Sequence, residues 1–503
     1  MSKYAITFDY DTGRRQGQLT GDHFAEIREH FSVYNDAVKY ARFRNRFAPS
    51  RKYTITPQGR FDPGLYYEIR KYIRQNTEDT KIHVTDAMRS IIYPTYSEVN
   101  SNFDPPLRLK LREYQQDIVD ICLKIGRGVT VLATAGGKTL TIASLIESIY
   151  RGNRSMKCLI LVPDLGLVNQ TTLDFKEYGT TFLHSKWTGK DQLNLGSNVI
   201  IANMGILQSS KSNTEWIQDV DMLIIDEVHK LRRDNKINGI IKKVRTPHKY
   251  GFTGTMPEKL IDQWNIIGKI GPILYERNSF QLREQNFVAK AKVQVLKVEY
   301  NDKPKTYPND RYDPTARYRR EQEFLAKNTF RNTIISKLSE KFDNNCLIMV
   351  DYIEHGEELY GILTETCKNK QVFFIRGEVA VEEREKVKKL MERTKDVICI
   401  AISKIFSTGI NIKNLHYIVF AGGGKAKVKI IQSIGRGLRL HKDKKGVIII
   451  DIADMLYYGH QHYNKRLKLY KGEKIKYGIK SIQEAGFETG KSNQDSGVKD
   501  GES

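Results

Sequence analysis

The chain has 503 residues, of which 40% are hydrophobic, and a formal net charge of +23. A chain of this length exceeds one hydrophobic core and predicts roughly two to four domains. The positive charge favours a polyanionic partner, most simply nucleic acid, over the alternatives of solubility alone or an acidic protein partner. Because no apolar run approaches membrane-spanning length and no signal peptide precedes the strand-like start, we expect a soluble intracellular protein without membrane contact.

The cysteines also narrow the class of protein. The five cysteines show neither a C-x-x-C pair nor a Cys/His pattern. This spacing excludes the usual zinc-site and disulfide frameworks. Three of them lie within apolar strand-like runs, where small buried thiols are expected: Cys158, Cys346 and Cys399.

Residues 1–92 have the pattern of a small α+β domain, with a strand at 4–8 and a helix at 20–31. Between residues 39 and 74, ten Lys or Arg face two acidic residues, and eight aromatic residues are interspersed. Basic side chains bind phosphates and aromatic rings stack on bases, so we predict nucleic-acid contact here. The arginines expected to make it are Arg42, Arg44 and Arg46. In the alternative interpretation, the aromatic residues form this domain's core and the charges its solvated face.

Residues 93–106 predict a linker. Beyond it, apolar runs alternate with helical stretches in two regions, 107–284 and 285–485, which predicts two tandem α/β lobes with parallel sheets. The expected strands of the first lobe are 129–134, 157–163, 198–203, 221–226 and 250–253. Those of the second lobe are 345–350, 371–375, 397–401, 417–421 and 446–451. Residues 300–320 are predicted to be irregular, and residues 486–503 to be disordered.

The strongest local signal is a strand, a glycine turn and a helix at residues 129–150. The turn contains Thr134, Ala135, Gly136 and Gly137. Such a turn lets backbone N–H groups surround an anion at a helix N-terminus. Lys138 is expected to reach the outer phosphates of a nucleotide, and the Thr139 hydroxyl to hold Mg²⁺. Leu132 stands where the phosphate-loop pattern has its first glycine, so a glycine turn in an unrelated α/β domain is the alternative.

A pair of carboxylates, Asp226 and Glu227, follows a second apolar strand. Open α/β sheets bind nucleotides beyond the carboxyl ends of their strands. We therefore predict that Asp226 holds Mg²⁺ through water, while Glu227 orients and deprotonates the attacking water. An Asp-Glu pair alone is a weak signal, but its position about ninety residues after Lys138 strengthens it.

A pair of arginines in the second lobe, Arg436 and Arg439, follows Gln432. At a spacing of three residues, both side chains fall on one face of a helix and can reach one phosphate. A guanidinium stabilises the charge that spreads over the γ-phosphate oxygens during transfer. We predict that these arginines act in catalysis, with surface charge on a helix as the alternative.

These three motifs, in this order, resemble those of superfamily 2 nucleic-acid helicases, and Asp-Glu-Val-His at 226–229 resembles the DExH branch. The resemblance implies two RecA-like lobes, ATP and Mg²⁺ as cofactors, and hydrolysis between the lobes. It assigns adenine recognition to Arg112 and Gln115, nucleotide contact to Gly409, coupling to Thr253, Thr255 and Gln432, and strand contact to Pro163, Gln170, Asn203, Ser407 and Thr408. Asn411 stands where the family usually has Asp.

A closer resemblance is to the recombination and branch-migration helicases of tailed phages, and it covers nearly the whole chain. It includes Arg376-Gly-Glu-Val379, residues 405–410 and 413–416, and more loosely the N-terminal domain. It implies remodelling of forked and other branched DNA in phage replication, recombination and repair, within the cytoplasm of an infected bacterial cell. Single-strand-binding and recombination proteins are further candidate partners. A restriction-system motor subunit, an RNA-directed DExH helicase and an annealing module are the alternatives.

Overall fold

The computed structural model describes residues 3–35, 38, 49–96, 107–133, 136–209, 212–278, 281, 290–311, 313–376, 381–402, 414–422, 446–472 and 475–484. The chain divides into two compact units, with the boundary between Arg277 and Asn278. The first unit contains a small N-terminal domain and a parallel-sheet domain, the first lobe. The second unit contains another parallel-sheet domain, the second lobe.

The N-terminal domain combines a mixed sheet with short helices. Its described elements are β1 (Tyr4–Asp11), β2 (Gln16–Gly21), α1 (Phe24–His30), β3 (Ser32–Tyr34), β4 (Arg51–Tyr53), β5 (Arg60–Phe61), α2 (Tyr66–Asn76), β6 (Thr80–Val84) and α3 (Asp86–Ile92). Four strands form a sheet in the order β5-β2-β1-β6, in which β1 is antiparallel to β2 and parallel to β6. The α+β class predicted for this domain is confirmed.

The described aromatic residues of the basic stretch belong to the core of this domain. Phe61 and Tyr66 are buried beside Ile6 and Phe8, the two side chains that β1 turns to the inside. Tyr67 and Tyr72 pack against the same core, and their rings are partly buried. For these residues the alternative interpretation is therefore correct. Their rings stabilise the domain, and Arg42, Arg44 and Arg46 lie outside the described residues.

The first lobe is a seven-stranded sheet in the order β13-β7-β12-β11-β8-β10-β9, and all its strand pairs are parallel. The strands are β7 (Gly128–Leu132), β8 (Cys158–Val162), β9 (His184–Trp187), β10 (Val199–Asn203), β11 (Met222–Asp226), β12 (Lys249–Thr253) and β13 (Ile273–Arg277). The helices are α4 (Glu113–Ile125), α5 (Lys138–Gly152), α6 (Leu165–Tyr178), α7 (Met204–Leu207), α8 (Ile237–Lys243) and α9 (Leu260–Ile270). Every residue of β7, β8 and β11 is buried, because helices cover both faces of the sheet.

The N-terminal domain is joined to the first lobe by close backbone and apolar contacts. A Cβ atom on Gly64 would lie 2.1 Å from the carbonyl oxygen of Ile267 in α9, so only glycine permits this approach. The ring of Trp264 in the same helix lies 5.2 Å from that of Phe31. The two domains therefore share an apolar junction rather than being linked by a flexible chain alone.

Charged groups reinforce that junction. Lys269 Nζ in α9 lies 2.6 Å from Asp62 Oδ2, and the lysine side chain is only 5% exposed. Arg233 donates a hydrogen bond of 2.6 Å to the carbonyl oxygen of Tyr53. Because a buried ion pair is costly to break, these contacts hold the two domains in a fixed arrangement.

The second lobe is also a seven-stranded sheet, in the order β16-β17-β15-β18-β19-β14-β20, with parallel pairing throughout. Its strands are β14 (Lys290–Glu299), β15 (Cys346–Val350), β16 (Gln371–Ile375), β17 (Val397–Ile402), β18 (Tyr417–Phe420), β19 (Gly446–Asp454) and β20 (Lys476–Gln483). The described helices are α10 (Pro314–Lys327), α11 (Thr329–Lys341), α12 (Ile353–Thr366), α13 (Val381–Arg393) and α14 (Tyr457–Gly472). The predicted class, two tandem RecA-like α/β lobes after a small α+β domain, is confirmed.

The structure corrects one prediction about the second lobe. Residues 314–327 form helix α10, although residues 300–320 were expected to be irregular. The Asp313 side chain caps this helix by accepting from the Ala316 N–H, and Pro314 occupies its first turn. The three cysteines that were expected to be buried, Cys158, Cys346 and Cys399, are buried, and so are the other two. In the part of the chain that the structure describes, no helix is long and apolar enough to span a bilayer.

Candidate active site

The sequence motifs of the first lobe meet at one edge of its sheet. Five neighbouring strands end there, at Leu132, Thr253, Asp226, Val162 and Asn203. Their pairing registers keep these ends level, with Thr253 opposite Val131 and Asn203 opposite Val162. Because the strands are parallel, every loop that leaves this edge contributes to one surface.

The phosphate loop leaves this edge at the end of β7, the second strand in the order of the sheet. Gly137 has φ 80°, in the left-handed region, and α5 begins at the next residue, Lys138. A Cβ atom on Gly137 would lie 2.3 Å from Gln115 Nε2, so the loop can take this path only with glycine. Thr139 lies in the first turn of α5, where unpaired backbone N–H groups attract an anion. Thr134 and Ala135 lie outside the described residues.

Gln115 supports the loop from the side of α4. Its Nε2 donates to the Gly137 carbonyl oxygen at 3.2 Å, and its Oε1 accepts from the Arg112 N–H at 2.9 Å. The side chain is 2% exposed, and its two functional groups are thus engaged with backbone. The structure therefore places Gln115 against the phosphate loop, with Arg112 bound to Gln115 through its backbone N–H, and adenine recognition by both residues stays a prediction.

The carboxylates at the end of β11 face the loop lysine. Lys138 Nζ lies 3.7 Å from Glu227 Oε1, and both side chains are largely buried. Glu227 has φ 53°, a conformation that costs free energy for a residue other than glycine and recurs at functional sites. Asp226, directly before it, accepts the Glu227 backbone N–H at 2.9 Å through Oδ1. This local turn sets the two carboxylates side by side.

The environment of Asp226 favours its protonated form. Burial and, to a smaller extent, the charge of Glu227 together raise the pKa of Asp226 to about 6, against the opposing charge of Lys138. A buried carboxylate with a raised pKa beside a second carboxylate is an arrangement that a cation would stabilise. In the described part of the chain, no cluster of three or more His, Cys, Asp or Glu could hold a metal by itself. Thr139 and Asp226 therefore suit Mg²⁺ bound together with nucleotide phosphates, which is its usual mode.

A histidine that the sequence interpretation left without a role connects β11 to β12. His229 Nδ1 lies 2.9 Å from Thr253 Oγ1 and 3.1 Å from Glu227 Oε2. The Thr253 hydroxyl donates to the Thr255 carbonyl oxygen at 2.9 Å, so it accepts from the His229 N–H. The predicted coupling residues Thr253 and Thr255 are thus linked to the Glu227 carboxylate through one imidazole. In the sequence, this contact is marked only by the histidine itself, two residues after Glu227.

The residues predicted to touch a nucleic-acid strand continue the same edge. Pro163 follows β8 directly, and Asn203 is the last residue of β10. Gln170 lies in α6, where its Nε2 donates to Asp174 Oδ1 at 2.6 Å. Only Pro163 and Asn203 lie at the strand ends themselves, and strand contact by all three stays a prediction.

Several predicted site residues lie outside the described residues, and their assignments remain those of the sequence. They are Ser407, Thr408, Gly409, Gln432, Arg436 and Arg439.

Comparison with known proteins defines the class. The family model described as "Type III restriction enzyme, res subunit" matches residues 108–258, and the "Helicase conserved C-terminal domain" model matches residues 328–441. These matches fall on the two parallel-sheet lobes, and the first contains the Lys138–Glu227 site. The chain is an ATP-dependent helicase, and the two matches together indicate superfamily 2.

Individual proteins also resemble this chain. The chain is 27% identical over 493 residues to the ATP-dependent DNA helicase uvsW of Enterobacteria phage T4, covering 91% of this chain and 95% of that protein. It is 24% identical over 419 residues to the DNA 3'-5' translocase XPB2 of Sulfurisphaera tokodaii, covering 76% and 88% respectively. The ATP-dependent Type ISP restriction-modification enzyme LlaBIII bound to DNA aligns with a TM-score of 0.54 at 16% identity, covering 82% of this chain and 34% of that one. The last likeness shows a shared fold.

Proposed function

We propose that this helicase uses ATP hydrolysis to remodel branched DNA, such as forks, four-way junctions and displacement loops, in phage replication, recombination and repair. One observation carries the proposal. The similarity to the phage T4 helicase covers 91% of the chain and so extends beyond the two motor lobes into the N-terminal domain. A motor with an added DNA-binding domain fixed to it can hold two arms of one branched molecule.

The residues at the edge of the first sheet have separable roles in this proposal. Lys138 and the N-terminal N–H groups of α5 bind the nucleotide phosphates. Thr139 and Asp226 would hold Mg²⁺, which would offset the negative charge of the phosphates. Glu227 orients the attacking water and accepts its proton. A bound phosphate competes with Glu227 for Lys138, so nucleotide binding frees this carboxylate to act as the base.

In this proposal, His229 connects the nucleotide site with the residues predicted to contact nucleic acid. Its N–H faces both the Glu227 carboxylate and the Thr253 hydroxyl. When Glu227 changes partner or charge, its electrostatic attraction for this N–H changes, and the hydrogen bond to Thr253 changes with it. Thr253 then transmits that change to the loop containing Thr255, at the edge where Pro163 and Asn203 lie. We propose that Arg436 and Arg439 supply the guanidinium groups for the γ-phosphate, as their spacing predicts.

DNA contact in this proposal is made mostly to phosphates. Phosphate contacts fix position without reading bases, so the protein should select the shape of a substrate and not its sequence. The net charge of +23 fits such a mode of binding. We propose single-strand-binding and recombination proteins as partners, because they are expected on the same DNA substrates.

The experiment is ATP turnover measured with matched fork, four-way-junction, linear-duplex and RNA substrates of equal length at fixed salt. We expect branched DNA to give the largest stimulation, since it alone engages both the lobes and the N-terminal domain. Lys138→Ala is the control, in which turnover should vanish while DNA binding persists. Equal stimulation by all four substrates would rule out selection of branched DNA.

A further inference from the structure

A basic cavity lies at the junction of the N-terminal domain and the first lobe, away from the nucleotide site. Its volume is about 40 Å³, and it is lined by six cationic side chains and, among the described residues, one carboxylate, Asp62. Lys249 begins β12 and Arg127 directly precedes β7, so the cavity lies at the amino edge of the sheet. The nucleotide motifs lie at the opposite, carboxyl edge.

Two cations of this cavity, Arg127 and Lys249, have no acidic partner among the described residues. Arg127 is 2% exposed and donates to the carbonyl oxygens of Ile270, Lys269 and Ile91 at 2.8, 3.2 and 2.9 Å. Lys249 Nζ donates to the Val244 carbonyl oxygen at 2.9 Å, which uses one of its three N–H groups. Asp62 is already paired with Lys269. The positive charge of the cavity therefore exceeds its negative charge.

Cations from both domains face this space. Arg15, in the hairpin between β1 and β2, donates to the carbonyl oxygens of Lys242 and Lys243 at 3.2 and 2.7 Å. Lys242 is exposed and lies at the mouth of the cavity. Burial lowers the pKa of Lys249 to about 7, and the charges of Arg127, Lys269 and Arg15 contribute to this shift. An ammonium group held among like charges gains free energy when an anion neutralises them.

Backbone carbonyl groups offer a simpler explanation for part of this cluster. The carbonyls that Arg15 and Arg127 bind lie at the C-terminal ends of α8, α9 and α3, where the helix dipole is negative. That explains how the two arginines are oriented, although each guanidinium has five N–H groups and therefore keeps some beyond these bonds. The helix ends do not explain Lys249, because its further N–H groups have no acceptor among the described residues.

We propose that this cavity binds one phosphate group, held by Lys249 and Arg127 from the first lobe and by Arg15 from the N-terminal domain. Phosphate offers several acceptor oxygens and a charge of one to two, which matches donors that converge from different directions. Because both domains supply donors, the bound group stabilises their junction. The phosphate can come from solution or from the backbone of a DNA strand that crosses the junction.

The test is a titration of the full chain with inorganic phosphate, followed by calorimetry at constant ionic strength. A non-hydrolysable ATP analogue occupies the nucleotide site, so the heat that calorimetry measures comes from phosphate binding at another site. Lys249→Gln and Arg15→Gln are compared with the wild type and with Lys341→Gln, an exposed lysine of α11 in the second lobe. Arg15 is only partly buried, so its substitution keeps the test valid if Lys249→Gln does not fold. A parallel titration uses a short DNA duplex.

The proposal predicts that both cavity variants bind more weakly by about tenfold, the effect of one charge-assisted hydrogen bond, while Lys341→Gln matches the wild type. Weaker binding of inorganic phosphate identifies a site for the free ion. If only the binding of the duplex is weakened in both variants, the site takes a DNA backbone phosphate. Unchanged affinity for both ligands in either folded cavity variant overturns the proposal.

Discussion

His229 Nδ1 lies 2.9 Å from the Thr253 hydroxyl oxygen and 3.1 Å from Glu227 Oε2, so one ring nitrogen faces both the Glu227 carboxylate and the end of β12. The hydrogen bond is to Thr253, and the carboxylate is near enough to attract the same proton. If Glu227 is the catalytic base that we propose, a change in its charge or position alters the bond to Thr253. The proposed mechanism uses this arrangement to connect ATP hydrolysis with the loop that follows β12.

His229→Ala tests that connection. It should lower DNA-stimulated strand separation by about tenfold, the effect of one lost hydrogen bond to a charged group, with little change in ATP affinity. Turnover and strand separation are measured on the same fork. The exposed His83→Ala in β6 is the matched control. If Thr253→Val and His229→Ala have additive effects in a double-mutant cycle, the two residues do not act together.

Asp226→Asn should stabilise the protein while abolishing ATP turnover. Burial raises the pKa of Asp226 to about 6, so the unfolded chain loses this proton at lower pH than the folded one. Asp226 therefore costs stability as pH rises from about 4 to 6, on the order of 3 kcal/mol at pH 7 and almost nothing below pH 4. The gain in Asp226→Asn should appear at pH 7 and disappear near pH 4.

Tryptophan fluorescence during denaturant unfolding measures this effect, because all three tryptophans, Trp187, Trp216 and Trp264, belong to the first unit. The exposed Asp302→Asn in the second unit is the control and should change nothing. A gain of equal size at pH 4 and pH 7 would contradict the assigned pKa shift. Retained turnover in Asp226→Asn would contradict the metal-binding role.

Most of the parallel strands could be predicted from the sequence, including the edge strand β16, but β9, β13, β14 and β20 could not. The central runs, such as Met222–Asp226, are buried on both faces and are continuously apolar. Strands β9 and β20 lie at sheet edges and include many polar, partly exposed residues, so they lack that pattern. Helix α10 was missed because of its polar composition, although Asp313-Pro314 is a typical helix start.

Some active-site residues could likewise be predicted from the sequence, and others could not. Lys138, Asp226 and Glu227 were identifiable because a glycine turn and a strand end restrict where such residues can lie. The role of His229 depends on the left-handed backbone of Glu227, which turns the chain toward Thr253. No local pattern in the sequence specifies that turn. Three-dimensional contacts were likewise needed to show that the N-terminal domain packs on α9.

Lys269→Met tests the junction between the N-terminal domain and the first lobe. It leaves the Asp62 carboxylate without its partner, which should cost roughly 2 kcal/mol at this partly exposed pair. The contacts of α9 with the N-terminal domain should then open more often. Hydrogen exchange should accelerate in α2 and α9 and remain unchanged in the second unit. Unaltered exchange in both helices would mean that apolar packing alone fixes the junction.

Charge reversal at Arg42, Arg44 and Arg46 tests the predicted DNA contact of the basic stretch, which lies outside the described residues. Each phosphate contact releases counterions, so the loss of about three contacts should lower the slope of log affinity against log salt by about three. Fork binding is measured between low and moderate salt. Charge reversal at Lys337, Lys341 and Lys368, exposed residues of the second unit, provides the matched control. An unchanged slope would make the basic stretch a solvated surface.

In the proposed function, ATP hydrolysis by this helicase drives the rearrangement of branched DNA. The most direct measurement follows a labelled four-way junction with homologous arms, beside a linear duplex of equal length, in the presence of ATP. Wild type should convert the junction to forked or duplex products faster than it separates the linear duplex, and Glu227→Gln should convert neither. ATP turnover without loss of the junction, or equal rates on both substrates, would contradict the claim.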